Sequence, residues 1–448
     1  MNQNPTSVPF REALKFWFKL GFISFGGPAG QIATVHQELV DKQKWISEKR
    51  FLHALNYCML LPGPEALQLV IYMGWLLHRT IGGVVAGLLF ILPALLLLIL
   101  LSIIYMVFGN TFVMTGIFLG IKPAVTAIVI QAGYKIGKRI LKTPLQLGIA
   151  IGALIGIFLS IPYPFIIITA GTLGWLVNRY VPKWFVVSST QHGSKSNQED
   201  LEAVINDHAS QLEHTRFQKS QFLKILGVSI LLWAVPLGAL IAIWGMDSIF
   251  PQLAIFFSKA ALLTFGGAYA VLPYVLQSAV EQFHWLNTTQ MMDGLALGES
   301  TPGPLIIVVA FVGYIAAYLN TAFAQAPVLS GVLGACIVSW FIFLPSFCFI
   351  FLGGPLIEST RQEFKFAPLM NGISCAVTGV IASLSLFFMY HTIFPNDLGA
   401  NLSLLQSGFA STLIALSTLA LIRYQVSVIQ LLIACAGIGL IWHSLNQI

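Results

Sequence analysis

Lys19-Leu20-Gly21-Phe22-Ile23-Ser24-Phe25-Gly26-Gly27 is an apolar, helix-forming run that stops on two glycines, and Lys259-Ala260-Ala261-Leu262-Leu263-Thr264-Phe265-Gly266-Gly267 is the same run 240 residues later. The spacing holds outward from there. Trp45 recurs as Trp285, and Pro62-Gly63-Pro64 recurs as Pro302-Gly303-Pro304, both at an offset of 240. Further on the offset steps to 252, pairing Pro93 with Pro345 and Gly120, Ala124, Val125 and Thr126 with Gly372, Ala376, Val377 and Thr378. Chance does not hold one offset over such a length. Duplicated units with Gly and Pro breaks in matching places point to discontinuous helices around a binding site between repeats.

Composition puts those breaks in a membrane. Of the 448 residues 57% are hydrophobic and 9% charged, against roughly 25% charged in soluble proteins. Residues 80–121, 143–178, 300–357 and 398–422 contain no Asp, Glu, Lys or Arg, and a helical span needs only about 20 apolar residues. The net charge of +6 is carried mostly by loops, so it reports topology rather than nucleic-acid binding. Five cysteines lie in apolar stretches without a C-x-x-C pair, which favours helix packing over disulfides or a metal site. The polar start, Met1 to Val8, has no short apolar core with a cleavage site, so no removable signal peptide is expected.

The expected fold is an all-α polytopic membrane protein of two inverted repeats with discontinuous, re-entrant helices. Residues 1–10 form a polar N-terminus, 11–181 the first repeat, 182–220 a cytoplasmic linker, 221–249 an extra transmembrane helix and 250–448 the second repeat. The single crossing in 221–249 would invert the second repeat. Loop charges agree: Lys42, Lys44, Lys49 and Arg50 are matched 240 residues on by Gln282, His284, Thr289 and Gln290, and Lys and Arg favour the cytoplasmic side. All loop charges fit one topology only if residues 11–41 and 51–79 are re-entrant hairpins turning at Gly26-Gly27-Pro28 and Pro62-Gly63-Pro64, with counterparts near 252–281 and 290–319. Full crossings are then expected at 83–108, 111–134, 145–161, 163–180, 222–245, 328–352, 368–394, 403–421 and 426–446. This places the chain in an inner membrane, N-terminus cytoplasmic and C-terminus outside.

Non-helical backbone at membrane depth is tolerated where it is buried in protein or lines a wet cavity. Each P-G-P starts a new half-helix, whose free N–H groups and dipole form an anion site. The expected substrate-binding set is therefore Gly26, Gly27, Gly63, Pro64, Gly266, Gly267, Gly303 and Pro304, with the neutral donors Ser24, Gln68, Thr264, Ser300 and Thr301 and the cations Lys19 and Lys259. The same glycines and prolines also serve as kinks or close-packing points, and the two lysines could snorkel to the interface. Glu65 follows Pro64 and Glu299 precedes Pro302 by three residues. Either could complement a helix end, or carry a proton, since burial favours the neutral carboxyl and a charged one would repel an anion. Lys122 is the only charge between Arg79 and Lys135, and its equivalent is Ser374; it fits a midplane anion contact and an interfacial lysine equally.

These motifs carry a family resemblance. Ser24-Phe25-Gly26-Gly27-Pro28-Ala29-Gly30-Gln31, Leu61-Pro62-Gly63-Pro64-Glu65-Ala66 with Gln68, Tyr72, Gly74 and Trp75, Thr264-Phe265-Gly266-Gly267-Ala268-Tyr269 and Glu299-Ser300-Thr301-Pro302-Gly303-Pro304 together resemble the chromate ion transporter family in its long, two-domain form. The resemblance covers nearly the whole chain. It implies a secondary exporter of chromate, with sulfate as structural analogue, that works without a cofactor. Leu67 departs from the family pattern, which often has Gln there. Sulfate or another dianion is the alternative cargo. A membrane enzyme or scaffold is the weaker rival: no H-E-x-x-H, G-x-S-x-G or C-x-x-C is present, nor a phosphate-binding G-x-x-x-x-G-K-[ST] loop for ATP-driven pumping. The expected partners are chromate, sulfate as analogue, and the bilayer; a homodimer is compatible with the sequence and not required by it.

Overall fold

The computed structural model describes residues 8–25, 27–109, 111–180, 204–205, 215–265, 267–320, 326–360, 367–394 and 404–446. Their regular structure is helical. In the first half the elements are α1 (Phe10–Ile23), α2 (Gly27–His36) running into a π-helical turn (Gln37–Lys42), α3 (Glu48–Cys58), α4 (Glu65–Phe108), α5 (Phe112–Ile140), α6 (Pro144–Phe158) and α7 (Tyr163–Tyr180). Then come α8 (Lys219–Trp244), α9 (Ile249–Leu263), α10 (Ala268–Leu276) with a second π-helical turn (Gln277–Gln282), α11 (Thr288–Ser300), a 3-10 turn (Leu305–Ile307), α12 (Val308–Leu319), α13 (Pro327–Thr360), α14 (Ala367–Ile393), α15 (Leu404–Arg423) and α16 (Val428–Leu445).

The sequence offset reappears in the backbone. The two π-helical turns lie 240 residues apart, and so do three pairs of positive φ angles: Gly27 (69°) with Gly267 (96°), Lys44 (52°) with His284 (51°), and Gly63 (131°) with Gly303 (89°). Only glycine adopts such φ values without a Cβ penalty, which explains why glycine recurs at both turns. Helices α1 and α9 end at Ser24 and Thr264, and the P-G-P runs separate α3 from α4 and α11 from α12. The helices are discontinuous where the sequence places the breaks.

Seven helices among the described residues (α4, α5, α8, α13, α14, α15 and α16) are long and apolar enough to cross a membrane. The chain is a multi-pass membrane protein. Helix α4 divides at His78 and Arg79, where φ/ψ leaves the helical region, at the boundary expected near residue 79. Two expected crossings differ. Helix α6 has 15 residues, about 22 Å against a hydrocarbon core of about 30 Å, and α7 has 18. Both are too short or too polar to be counted with the seven. As a consecutive pair, they leave the topological parity unchanged when both cross or neither does.

The chain divides into two compact units. Unit 1 comprises residues 1–97, 189–268 and 301–365. In it α13 packs on α12, α9 and α8. Most of the expected linker, 182–220, lies outside the described residues. Within it Ile205 is buried and forms a parallel bridge to Ile46, with Ser47 N–H donating to Ile205 O at 3.1 Å and Ile205 N–H to Trp45 O at 3.0 Å. Unit 2 comprises 98–188, 269–300 and 366–448, in which α5 packs on α14, α15 and α16, and α14 on α6 and α7. Small residues let these backbones close up: Gly116 and Gly120 of α5 lie against Gly439 and the Cys435 carbonyl of α16.

Candidate functional site: crossed helix breaks and a charged cavity

In unit 1 each P-G-P turn is bonded to the helix break of the other half of the sequence. Gly63 N–H donates to the Thr264 carbonyl at 2.7 Å, and Gly303 N–H donates to the Ser24 carbonyl at 2.8 Å. These two bonds interchange under the 240-residue offset. The broken helix ends leave carbonyls without intrahelical donors, and the glycine N–H groups supply them. Ser24 and Thr264 are both fully buried and donate their hydroxyls back to Leu20 O and Ala260 O, each at 2.7 Å. A third link is asymmetric: Gln31, whose counterpart is Val271, donates its amide to the Gly303 carbonyl.

The surroundings of the two turns differ in polarity. A Cβ on Gly63 would lie 2.6 Å from both Gln68 Nε2 and Ser346 Oγ, whereas one on Gly303 would meet the Ala94 methyl at 2.7 Å. Gln68 is fully buried and donates to Pro62 O at 2.7 Å, while its Oε1 and the Ser346 hydroxyl are buried without a hydrogen-bond partner among the described residues. The offset maps Gln68 to Val308 and Ser346 to Ala94. A side chain at Gly63 thus meets an amide and a hydroxyl, one at Gly303 a methyl group and then the Phe90 carbonyl at 3.2 Å.

The remaining expected residues fall as follows. Gly27, Pro64, Gly267, Thr301 and Pro304 belong to the breaks and turns, with Pro64, Gly267, Thr301 and Pro304 buried. Gly26 and Gly266 lie outside the described residues. Glu65 is half-buried in the first turn of α4. Lys19 and Lys259 are exposed, and Lys19 pairs with Glu38 at 3.8 Å; the structure does not bring either lysine to the turns. Ser300 is exposed and donates to Leu297 O at 2.7 Å. The Gly63 and Gly303 N–H groups are taken up by carbonyls, so the donors left for a ligand at these turns are those of the first helical turns beyond them.

Unit 2 holds Glu299, buried and accepting from the Tyr269 hydroxyl at 2.7 Å. It also holds Lys122, whose ammonium lies 3.2 Å from Asp293 Oδ1, while Tyr105 OH donates to Asp293 Oδ2 at 2.9 Å. Lys122, Asp293 and Tyr105 line a cavity of about 600 Å³ together with Asn287, Gln290, His391 and Thr392. Asp293 escapes the motif reading because no break marks it. A signal did exist: Lys122 interrupts a long uncharged run, and a charge buried in a membrane requires a partner. Unit 1 has its own buried ion pair, Arg50 Nη2 to Glu358 Oε2 at 2.8 Å, with Tyr72 OH donating to Glu358 Oε1 at 2.6 Å.

Discontinuous helices, breaks bonded pairwise and buried charges among apolar helices define the class: a polytopic helical membrane transporter. The chain belongs to the chromate transporter family, whose pattern matches residues 11–175 and again 251–440. It is 32% identical over 85% of its length to a chromate transport protein of Pseudomonas aeruginosa, of which 82% is covered. A probable chromate transport protein of Synechococcus elongatus is 27% identical, with 83% of this chain and 82% of that one aligned. The chromate transport protein of Cupriavidus metallidurans is 26% identical, over 83% and 80%. No solved structure matches the chain.

Proposed function

We propose that this protein is a secondary transporter that exports chromate across the bacterial inner membrane and so confers chromate resistance. The observation that carries the reading is the crossed pair of hydrogen bonds, Gly63 to Thr264 and Gly303 to Ser24. They hold both breaks and both half-helix starts of unit 1 together, where several helix N-termini favour an anion. The family membership and the relatives named for chromate transport support the cargo. In this reading the two halves are inverted repeats, the N-terminus and the basic loop 42–50 are cytoplasmic and the C-terminus is outside. The bond between Ile205 of the linker and Trp45–Ser47 of that loop supports a common side for the two.

Export needs no second ion. One charge crossing 100 mV is worth about 2.3 kcal/mol, so a dianion leaving a negative interior gains about 4.6 kcal/mol per 100 mV. The test is labelled chromate flux in proteoliposomes under an imposed potential and, separately, an imposed pH gradient, with sulfate alongside. Flux that follows the potential supports electrogenic export. Sulfate carried in preference to chromate would change the cargo, and the absence of flux of either anion would overturn the reading.

A further inference from the structure

The Lys122–Asp293 pair stands apart from the helix breaks, in unit 2. The offsets match Lys122 to Ser374 and Asp293 to His53, so the duplicated architecture alone does not call for the pair. Asp293 is buried with two partners, Lys122 and the Tyr105 hydroxyl. The Lys122 side chain is 25% exposed and lines the cavity. In the lining, Asn287 Oδ1 accepts from Gln290 N–H at 2.8 Å and Gln290 Oε1 accepts from Asn287 N–H at 2.9 Å. With both amide oxygens bound to backbone, the amide NH₂ groups are the ends these side chains can offer a ligand. A volume of about 600 Å³ lies within the range of small-molecule sites, about 300–1,000 Å³.

We propose that this cavity is a binding site for a tetrahedral dianion, with Lys122 as its charged contact, the Asn287 and Gln290 amides as neutral donors, and Asp293 as a built-in competitor for the lysine. Asp293 keeps the Tyr105 hydroxyl on Oδ2 when Lys122 turns to the ligand, so one of its two oxygens stays hydrogen-bonded through the exchange. The site gives the transported anion a charged station, which the turns of unit 1 lack because Lys19 and Lys259 are exposed. This rests on the transport reading above.

The competitor gives the proposal a signature that a structural ion pair does not share. Lys122→Met weakens chromate and sulfate binding by about tenfold, as expected for loss of a charge-assisted contact. Asp293→Asn keeps the acceptor for Tyr105 and tightens binding by about threefold or more, because a like charge leaves the site. Lys122→Arg retains binding. Isothermal titration of the purified full-length protein with chromate and with sulfate reads all three, after size-exclusion profiles establish that each variant is folded. Opposite shifts for Lys122→Met and Asp293→Asn support the site. Wild-type binding with both variants unshifted, or both weakened, overturns the site alone. Wild-type protein that neither binds nor carries either anion overturns the transport reading and this site with it.

Discussion

The N–H of Gly63 is held by the carbonyl of Thr264 at 2.7 Å, and its counterpart 240 residues on, Gly303, is held in the same way by Ser24. Each turn thus closes on the break of the other half. Both glycines have positive φ, and an added Cβ would press on Gln68 and Ser346 at the first turn and on Ala94 at the second. Alanine at either position is strained by about 1–3 kcal/mol and has to displace those neighbours. Gly63→Ala and Gly303→Ala are each expected to cut chromate flux by about tenfold or more, in line with that strain, while membrane insertion remains near wild type. Flux in vesicles normalised to inserted protein checks this, and wild-type flux in both variants would reduce the turns to packing kinks.

The proposed inversion of the second half predicts a difference in sidedness between matching loops. Gln43 and Gln282 are exposed and lie in the equivalent stretches after α2 and α10. In a cysteine-free background, Gln43→Cys should react with a membrane-impermeant thiol reagent only from the cytoplasm, and Gln282→Cys only from outside. Neither residue itself has a positive φ, unlike the neighbouring Lys44 and His284. Labelling from one side for both positions would end the inverted-repeat reading.

Much of this fold is legible in the sequence, because glycine and proline act locally. Helices stop just before Gly26-Gly27 and Gly266-Gly267 and restart after each P-G-P, so the ends of α1, α9, α3 and α11 fall where these breaks stand, whereas Gly82-Gly83 and Gly353-Gly354 are carried inside α4 and α13. The partners of those breaks are less legible. That Gly63 bonds Thr264 depends on how distant segments pack, as does the meeting of Tyr105 with Asp293, 188 residues apart. Lys19 and Lys259 illustrate the same limit: their shared spacing from the glycines is visible in sequence, but the helix face they occupy is set by burial of Phe16, Trp17 and Leu20 on α1 and of Phe256, Phe257 and Ala260 on α9.

The buried pair of Arg50 with Glu358, 5% and 8% exposed at their side chains, ties α3 to the end of α13. Removing one partner leaves the other buried charge without its counter-ion, at a cost of about 3–5 kcal/mol. Arg50→Met and Glu358→Gln should each lower the thermal unfolding midpoint in detergent. The double variant should recover part of the loss, since no isolated charge remains. Additive losses in that cycle would show that the two side chains do not depend on each other.

Glu299 and Glu65 remain the candidates for coupling anion movement to protons. Glu299 is buried and accepts the Tyr269 hydroxyl at 2.7 Å, and Glu65 opens α4 beside the Gly63 turn. If a carboxylate must be neutral before a dianion binds, binding weakens as pH rises, because deprotonation places a like charge near the ligand. Gln imitates the neutral form at every pH. At position 299 its Oε1 also preserves the acceptor for Tyr269, so a change in pH response is not a packing effect. Glu299→Gln and Glu65→Gln are therefore expected to bind chromate with affinity that is flat across about pH 5.5–8.5, and to lose any flux driven by a pH gradient while keeping flux driven by potential. A purely structural acceptor predicts something different: both variants would follow the wild-type profile at every pH. Chromate affinity titrated over that range, with sulfate in parallel, separates the two. A wild-type profile in both variants would leave the membrane potential as the sole driving force for export.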